Sequence, residues 1–298
     1  FGYRGGEGPG KSTYVAALVA GCICPAGADI DTLGVQITAN GSHKAVLLYD
    51  TEQSEVQLFK NVNHLVPRAK QPDKADELKS FCLTGMSRKE RLNAIVQSMD
   101  KFYYQYGGIQ LVVIDGIADL VKSANDEAES VAVIDELYRL AGIYNTCILC
   151  VLHFVPNGLK LRGHLGSELQ RKAATILSIE KDEEPTQSVV KALKVRDGSP
   201  LDVPLMLFAW DKKAGMHTCR GEKPRKEKEK RKERELVCVA RDVFGRQTRI
   251  TYIDLCEQLQ QILDIKERTA KNYIRFMRER DIIIKDTANQ SYFVIGSI

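Results

Sequence analysis

The sequence is poor in aromatic residues and has no long apolar run, and both absences narrow what it can be. Aromatic residues make up 7% of the 298, with a single tryptophan. No apolar run approaches the ~20 residues of a membrane-spanning helix, so we expect no membrane partner. The chain starts at Phe1 without a methionine or a signal-like segment, and we expect the natural protein to extend upstream. With 44% hydrophobic and 28% charged residues, the composition is typical of a soluble globular protein of about two domains.

A paired cysteine pattern is also missing. The eight cysteines are scattered, and the C-x-x-C pair, Cys147 and Cys150, lies in an apolar run that predicts a buried strand. Residues three apart on a strand point to opposite faces of the sheet, so this pair cannot chelate a metal together. We therefore expect reduced core thiols and a cytoplasmic protein, rather than a disulfide scaffold or a zinc site.

The strongest motif stands at the start of the chain. The segment 5–13, GGEGPGKST, fits G-x-x-x-x-G-K-[ST]. In such a loop, backbone N–H groups and the start of the next helix hold phosphates, the lysine reaches the β- and γ-phosphates, and the following hydroxyl coordinates Mg²⁺. A glycine-rich turn that fits by chance is the alternative. The predicted ATP ligands are Gly5, Gly8, Gly10, Lys11, Ser12 and Thr13, with Ser12 also a ligand of Mg²⁺.

Short apolar runs typical of buried parallel strands alternate with amphipathic helical patterns between Lys11 and His153. This alternation predicts an α/β fold with a mostly parallel sheet that has helices on both faces. After Gly166 the pattern changes to strand-like runs, which we expect to complete the sheet as antiparallel edge strands. These runs are 174–179, 189–195 and 203–208. The first domain is thus predicted over residues 1–218.

Acidic residues end two of the predicted strands, where ligands collect in a parallel sheet. Asp115 closes the run Leu-Val-Val-Ile and is predicted to hold Mg²⁺ opposite Ser12; capping of the next helix is its alternative role. The residue after it is Gly116, so no adjacent catalytic base is available there. Asp50 and Glu52 follow an earlier strand, and either could orient the attacking water.

The rest of the chain predicts a second, smaller domain. The segment 219–235 is highly charged and is predicted to be a linker or a solvated helix. Residues 236–298 predict three helices followed by a β-hairpin, the layout of a winged helix-turn-helix. The third helix, 267–280, presents a basic face that suits the DNA major groove; a protein-binding winged helix with solvated charges is the alternative. The predicted DNA contacts on this face are Arg268, Lys271, Asn272 and Arg275.

Five parts of the chain occur in an order and spacing that resemble RecA-fold ATPases. They are the P-loop at 5–13, Leu48–Glu52, Leu111–Asp115, His153, and Lys194–Gly198. The chain is most similar to the hexameric replicative helicases of the DnaB and plasmid RepA type, over residues 1–210. The resemblance implies a RecA-like fold for the first domain.

The resemblance also implies roles for individual residues. It selects Glu52 as the catalytic base, because in that family the catalytic glutamate follows the second strand. It makes His153 the sensor of the γ-phosphate, and Lys194 and Arg196 the residues that reach the nucleotide of the neighbouring subunit. A core histidine and an exposed strand face are the alternatives for these positions. Lys11 completes the catalytic set through its contact with the γ-phosphate.

DNA contact is expected at two places. RecA-type rings grip the phosphate backbone of single strands with loops in the region of 157–166, where Lys160 and Arg162 lie among three glycines. The winged helix would bind duplex DNA or a replication protein. We therefore expect an ATP- and Mg²⁺-dependent DNA helicase that acts on single-stranded DNA as a hexameric ring, in replication of a plasmid or mobile element. A RecA-type recombination ATPase and an ATP-switched DNA-binding regulator are the alternatives.

Overall fold

The structure is a computed structural model, and it describes residues 10–153, 163–224, 227–245 and 247–296. The chain divides into two compact units. The first unit comprises Phe1–Ala173, Ile179–Ser188 and Leu207–Gly221. The second unit comprises Ala174–Ser178, Val189–Met206 and Glu222–Ile298. Lys11 and the residues up to Ala173 thus fall in the first unit, and the three C-terminal helices in the second.

The first unit is built on a four-stranded parallel sheet. Its strands are β1 (Ala45–Asp50), β2 (Leu78–Cys82), β3 (Ile109–Asp115) and β4 (Cys147–Val151), in the order β2-β1-β3-β4. Its described helices are α1 (Lys11–Ile23), α2 (Glu55–Arg68), α3 (Arg88–Tyr106), α4 (Glu127–Ile143) and α5 (Gly163–Lys172), with a 3₁₀ helix at Ile117–Leu120. The predicted α/β fold with a parallel sheet flanked by helices is confirmed.

Both faces of this sheet are covered, and the side-chain alternation of β1 shows how. Every residue of β1 is buried. Leu47 and Tyr49 pack on one side with residues of α3 and α4, and Val46 and Leu48 pack on the other side with residues of α1 and α2. A strand buried on both faces needs a continuous apolar run, which is why the sequence pattern identified it. The carboxyl ends of the four strands therefore meet at one edge of a rigid layer.

Local signals set most helix boundaries, with one exception at Pro67. The spacing of Ser87 and Glu90 predicts a capping box at the start of α3, and it is present: each side chain accepts the other residue's backbone N–H. The sequence predicts that α2 stops before Pro67, and this is wrong, because the helix ends at Arg68. A proline in the last turn removes only one intrahelical donor, and the Arg68 guanidinium is anchored on the carbonyl of Asp31.

The strands after α5 form a sheet of their own. They are β5 (Thr175–Lys181), β6 (Gln187–Val195), β7 (Leu205–Asp211) and β8 (Met216–Lys223), in the order β5-β6-β7-β8. Among the described residues these strands pair only with one another, which differs from the expectation that the first three complete the parallel sheet as edge strands. A period-two pattern predicts that a segment is a strand, but its pairing partner is set by non-local contacts. β8 escaped prediction because none of its residues is fully buried, so its sequence lacks an apolar run.

The second unit contains the three helices and the hairpin that the sequence predicts. They are α6 (Glu227–Phe244), β9 (Ile250–Thr251), α7 (Tyr252–Leu263), α8 (Glu267–Glu279), β10 (Ile283–Lys285) and β11 (Tyr292–Ile295). The strands form a small antiparallel sheet in the order β10-β11-β9. β8 ends and α6 begins within the segment 219–235, for which the sequence left a linker or a solvated helix open. The assignment as a winged helix stays a prediction.

No helix among the described residues is long and apolar enough to cross a membrane.

Candidate nucleotide site

Three strands deliver predicted site residues to the carboxyl edge of the parallel sheet. In the pairing of β1 with β3, Asp50 lies opposite Asp115, and Asp115 in turn lies opposite Val151 of β4. The residues that follow these strand ends therefore emerge beside one another. Glu52 leaves β1 and His153 leaves β4 at this edge, on either side of the end of β3. The predicted metal ligand, base and sensor are thus neighbours.

Lys11, His153 and Glu52 form a chain of contacts. Lys11 Nζ lies 3.1 Å from His153 Nδ1, and His153 Nε2 lies 3.5 Å from Glu52 Oε2. An ammonium group only donates hydrogen bonds, so Nδ1 accepts, and the ring proton of a neutral His153 is then on Nε2, facing Glu52. One imidazole thus links the P-loop lysine to the predicted base, although 142 positions separate Lys11 from His153 in the sequence.

Asp115 has a strongly perturbed carboxyl group. Burial raises the pKa of Asp115 to about 6, and the nearby Asp50 and Glu52 carboxylates add to the rise. His153 and Lys11 oppose it only in part. Three acidic side chains around one lysine leave an excess of negative charge, which a bound divalent cation would offset.

The donor set at this edge fits Mg²⁺. Asp115 offers carboxylate oxygens, and Ser12, exposed at the start of α1, offers a hydroxyl; Mg²⁺ prefers such oxygen ligands. Within the described ranges, no group of three or more His, Cys, Asp or Glu side chains could hold a metal ion. This agrees with a cation that one or two protein groups share with substrate phosphates and water.

Gly116 explains why no base directly follows Asp115. Its φ is +98°, and a Cβ built on it would lie 2.8 Å from Glu52 Cγ and closer still to Thr51 Oγ1. A glutamate at this position would therefore collide with the segment that carries Glu52. The sequence shows only that a base is missing after Asp115, whereas the structure shows that the segment after β1 occupies its place.

The start of α1 presents backbone N–H groups of the kind that bind anions. Gly10 precedes the helix with a φ of +89°, and no side chain among the described residues caps it. A Cβ at Gly10 would lie 2.8 Å from Cε2 of the buried Phe208, a constraint that the sequence did not reveal. Thr13 is half-buried within α1. Gly5 and Gly8 lie outside the described residues.

Four further predicted residues have a different status. Lys160 and Arg162 lie outside the described residues. Lys194, on β6, and Arg196, just after it, belong to the second unit. Burial lowers the pKa of Lys194 and the nearby Arg196 lowers it further, while Asp281 raises it.

The predicted DNA contacts of the second unit lie on one exposed face of α8. All four are exposed: Arg268, Lys271, Asn272 and Arg275. Ala270, Ile274 and Met277 are buried in the core of the unit. Lys271 Nζ lies 2.6 Å from Glu267 Oε1, and Arg275 Nε lies 2.8 Å from Glu279 Oε1. The face is basic, but two of its cations are paired with acids of their own helix.

A cavity of about 750 Å³ opens between α3, the 3₁₀ helix and α4. Its basic lining residues are Arg88, Lys89, Arg91 and Lys122. Arg91 is engaged, because its guanidinium donates to the carbonyls of Leu83 and Asp119. The other three form no ion pair with a described residue. The sequence does not reveal this surface, because charges at a helix start resemble an ordinary solvated face.

The parallel sheet, the open start of α1 and the acidic edge beside Lys11 together define a P-loop nucleoside triphosphatase. The chain belongs to the AAA domain family, whose sequence profile matches residues 4–157, slightly more than half of its length. The match covers the whole parallel sheet and ends shortly after His153. No curated protein matches the chain. The predicted class, a P-loop ATPase, is thereby confirmed.

Proposed function

We propose that the protein hydrolyses ATP at the carboxyl edge of its parallel sheet, with Mg²⁺ as the metal cofactor. The observation that carries the proposal is the chain of contacts from Lys11 through His153 to Glu52. Lys11 and the first N–H groups of α1 bind the β- and γ-phosphates. Ser12 and Asp115 hold Mg²⁺, which neutralises charge on the phosphates when bound.

Glu52 is better placed than Asp50 to orient the attacking water. Asp50 is 2% exposed, and its Oδ1 accepts the backbone N–H groups of Glu52 and Gln53 at 2.9 and 2.8 Å. The Glu52 side chain is 41% exposed. Asp50 therefore shapes the turn after β1, while the Glu52 carboxylate can reach a water beside the γ-phosphate and accept its proton.

His153 connects the phosphate end of the site with the base. Its Nδ1 accepts a hydrogen bond from Lys11 in the described arrangement. The phosphates of a nucleotide compete for this ammonium, because a charged acceptor binds it more strongly than a neutral imidazole does. When Lys11 turns to the phosphates, His153 Nδ1 loses this donor, and once Nδ1 carries a proton it can donate to the γ-phosphate while Nε2 still faces Glu52. This supports the sensor role that the family resemblance implies.

Replacing Glu52 by Gln tests the assignment. The amide keeps the size of the side chain but cannot accept the proton of water, so ATP turnover should fall about 10²-fold or more, while Mg²⁺–ATP binding is retained. Glu55→Gln is the matched control, because Glu55 is exposed in the first turn of α2. Turnover that persists in Glu52→Gln would show that the base is another residue.

As the cellular role we propose a cytoplasmic DNA helicase that translocates on single-stranded DNA as a hexameric ring, in replication of a plasmid or mobile element. The cavity lined by Arg88, Lys89 and Lys122 supports contact with a nucleic-acid backbone. The exposed basic face of α8 supports contact of the C-terminal unit with duplex DNA; a replication protein is its other candidate partner. In the ring, Lys194 and Arg196 reach the nucleotide of the neighbouring subunit.

Unwinding of a forked duplex tests the helicase, and light scattering with an ATP analogue and single-stranded DNA tests the ring. The helicase proposal requires ATP-dependent strand separation by a closed oligomer. Open filaments would favour a recombination ATPase. ATP hydrolysis without any unwinding would favour a DNA-binding regulator that ATP switches.

A further inference from the structure

Thr51 lies between the two carboxylates that the proposed chemistry needs, and it joins their strands. The residue is 3% exposed. Its hydroxyl lies 2.8 Å from the carbonyl oxygen of Gly116 and 3.1 Å from that of Asp115, and its backbone N–H donates to the Asp115 carbonyl at 3.1 Å. The regular pairing of β1 with β3 ends at Asp50 and Asp115. Thr51 therefore extends the connection one residue past the end of the sheet.

The hydroxyl is not needed to satisfy either carbonyl group. The Asp115 carbonyl already accepts the backbone N–H of Thr51, and the Gly116 carbonyl accepts the backbone N–H of Asp119 at 3.0 Å. Losing a buried hydroxyl usually destabilises a protein because an acceptor is left without a donor. Here both carbonyl groups would keep a backbone donor. What the hydroxyl adds is a fixed position of the segment after β1 relative to the segment after β3.

Gly116 is the matching half of this contact. Its positive φ and missing side chain leave the space in which the Thr51 hydroxyl and the Glu52 side chain lie. Thr51 and Gly116 thus form a clasp, with Glu52 immediately after one half and Asp115 immediately before the other. If the contact between Thr51 and Gly116 loosens, the segments after β1 and β3 can move apart, and the distance between these two carboxylates changes.

We propose that Thr51 is a positioning residue that sets the distance between the Glu52 carboxylate and the Asp115 carboxylate. This inference rests on the proposed function, because it assumes that Glu52 orients water and that Asp115 holds Mg²⁺. Reacting groups that are misplaced by about 1 Å lose about 10²-fold in rate, so a clasp outside direct substrate contact can control turnover.

The test compares Thr51→Val, which keeps the shape and removes the hydroxyl, with Thr51→Ser, which keeps the hydroxyl. Thr51→Val should lower kcat for ATP about 10- to 100-fold with KM changed less than about threefold, since the phosphate-binding groups do not move. Thr51→Ser should stay within about threefold of wild type. A Thr51→Val enzyme with normal kcat, or a Thr51→Ser enzyme as slow as Thr51→Val, would overturn the proposal.

Amide hydrogen exchange across residues 50–54 provides a readout that does not depend on turnover. Exchange in this segment should speed up about tenfold in Thr51→Val and stay near wild type in Thr51→Ser. Unchanged exchange in Thr51→Val would contradict the positioning role of Thr51, whether or not the wild-type protein hydrolyses ATP. A wild-type protein that does not hydrolyse ATP would contradict the proposed function independently of this result. If Thr51→Val does not fold, Gly116→Ala makes the same test from the other side, because its new Cβ displaces Thr51 and Glu52.

Discussion

The edge of the parallel sheet and the exposed face of α8 both carry charges with a predicted function. At the sheet edge like charges are clustered and partly buried, whereas on α8 the charges are exposed and paired with opposite charges. At the sheet edge, a buried carboxyl group lies among other carboxylates, and the pKa of Asp115 rises to about 6. On α8, Lys271 and Arg275 are exposed and each pairs with an acid four residues away.

Charges whose arrangement costs stability are stronger evidence of function than charges whose arrangement is common on any helix. Placing like charges together in a buried site destabilises the fold, so such a site needs a reason outside stability. Exposed pairs at i,i+4 contribute about 0.3 to 0.5 kcal/mol to almost any helix. They would look the same on a DNA-binding face and on an ordinary solvated one. The proposed ATP site is therefore supported by its own electrostatics, and the proposed DNA-binding face only by its sign of charge.

Removing Lys11 should have the largest effect on ATP turnover, and it separates the sheet edge from α8 most clearly. Lys11→Met takes away the only described cation of the cluster, so ATP turnover should fall about 10²- to 10³-fold and nucleotide binding should weaken. Lys271→Met on α8 is the matched control and should leave the turnover of ATP without DNA within about twofold of wild type. Steady-state ATPase assays on both variants make the measurement. Equal losses in both would mean that the sheet edge has no special role.

Neutralising Asp115 should raise stability while it abolishes Mg²⁺-dependent turnover. A carboxyl group with a raised pKa binds its proton more tightly in the folded state. Stability is therefore lost as pH rises from about 4 to about 6, by about 3 kcal/mol for a shift of this size. Asp115→Asn escapes this loss, so urea unfolding should show it to be more stable than wild type by up to about 3 kcal/mol at pH 7.5, with most of the gain gone at pH 4.

The control for that measurement is Asp73→Asn, an exposed aspartate whose replacement should change stability by less than about 0.5 kcal/mol at either pH. A destabilised Asp115→Asn at pH 7.5 would mean that the acidic edge is not strained, and the contrast with α8 would disappear.

Removing the cations of α8 should have the smallest effect on stability. The same variants distinguish a DNA-binding face from ordinary solvated ion pairs. Lys271→Ala and Arg275→Ala should each change stability only slightly, because an ion pair at a fully exposed position contributes little. If α8 binds duplex DNA, the double variant should also reduce the slope of log affinity against log salt by about 2, one for each lost phosphate contact. Fluorescence anisotropy with a labelled duplex measures this slope.

Arg139→Ala is the control on the first unit, because Arg139 pairs with Glu136, an acid three residues earlier on α4. It should lose similar stability and leave the salt slope unchanged. An unchanged slope in the α8 double variant as well would identify its charges as ordinary solvated pairs.

Much of the first unit could be predicted from the sequence because its signals are local. The apolar run before Asp115 predicts a strand that ends at this residue, and β3 does end there. Ser87 and Glu90 form the predicted capping box, and Glu52 follows the end of β1 as predicted. The errors occurred where the deciding contact is distant in the chain. The first three strands after α5 were correctly predicted as strands but were expected on the parallel sheet, whereas among the described residues they pair in a sheet with β8, since a strand pattern does not indicate its pairing partner.

From the sequence alone one can predict a P-loop motif with its lysine, an acid at the end of a buried strand and a parallel sheet covered on both faces. Residue type and periodicity carry that information along a single segment. Only the tertiary structure shows that His153 contacts both Lys11 and Glu52. It also shows that the space a side chain at position 116 would need is occupied by Thr51 and Glu52. These are contacts between strand ends far apart in the chain, and packing of the whole sheet sets their distances.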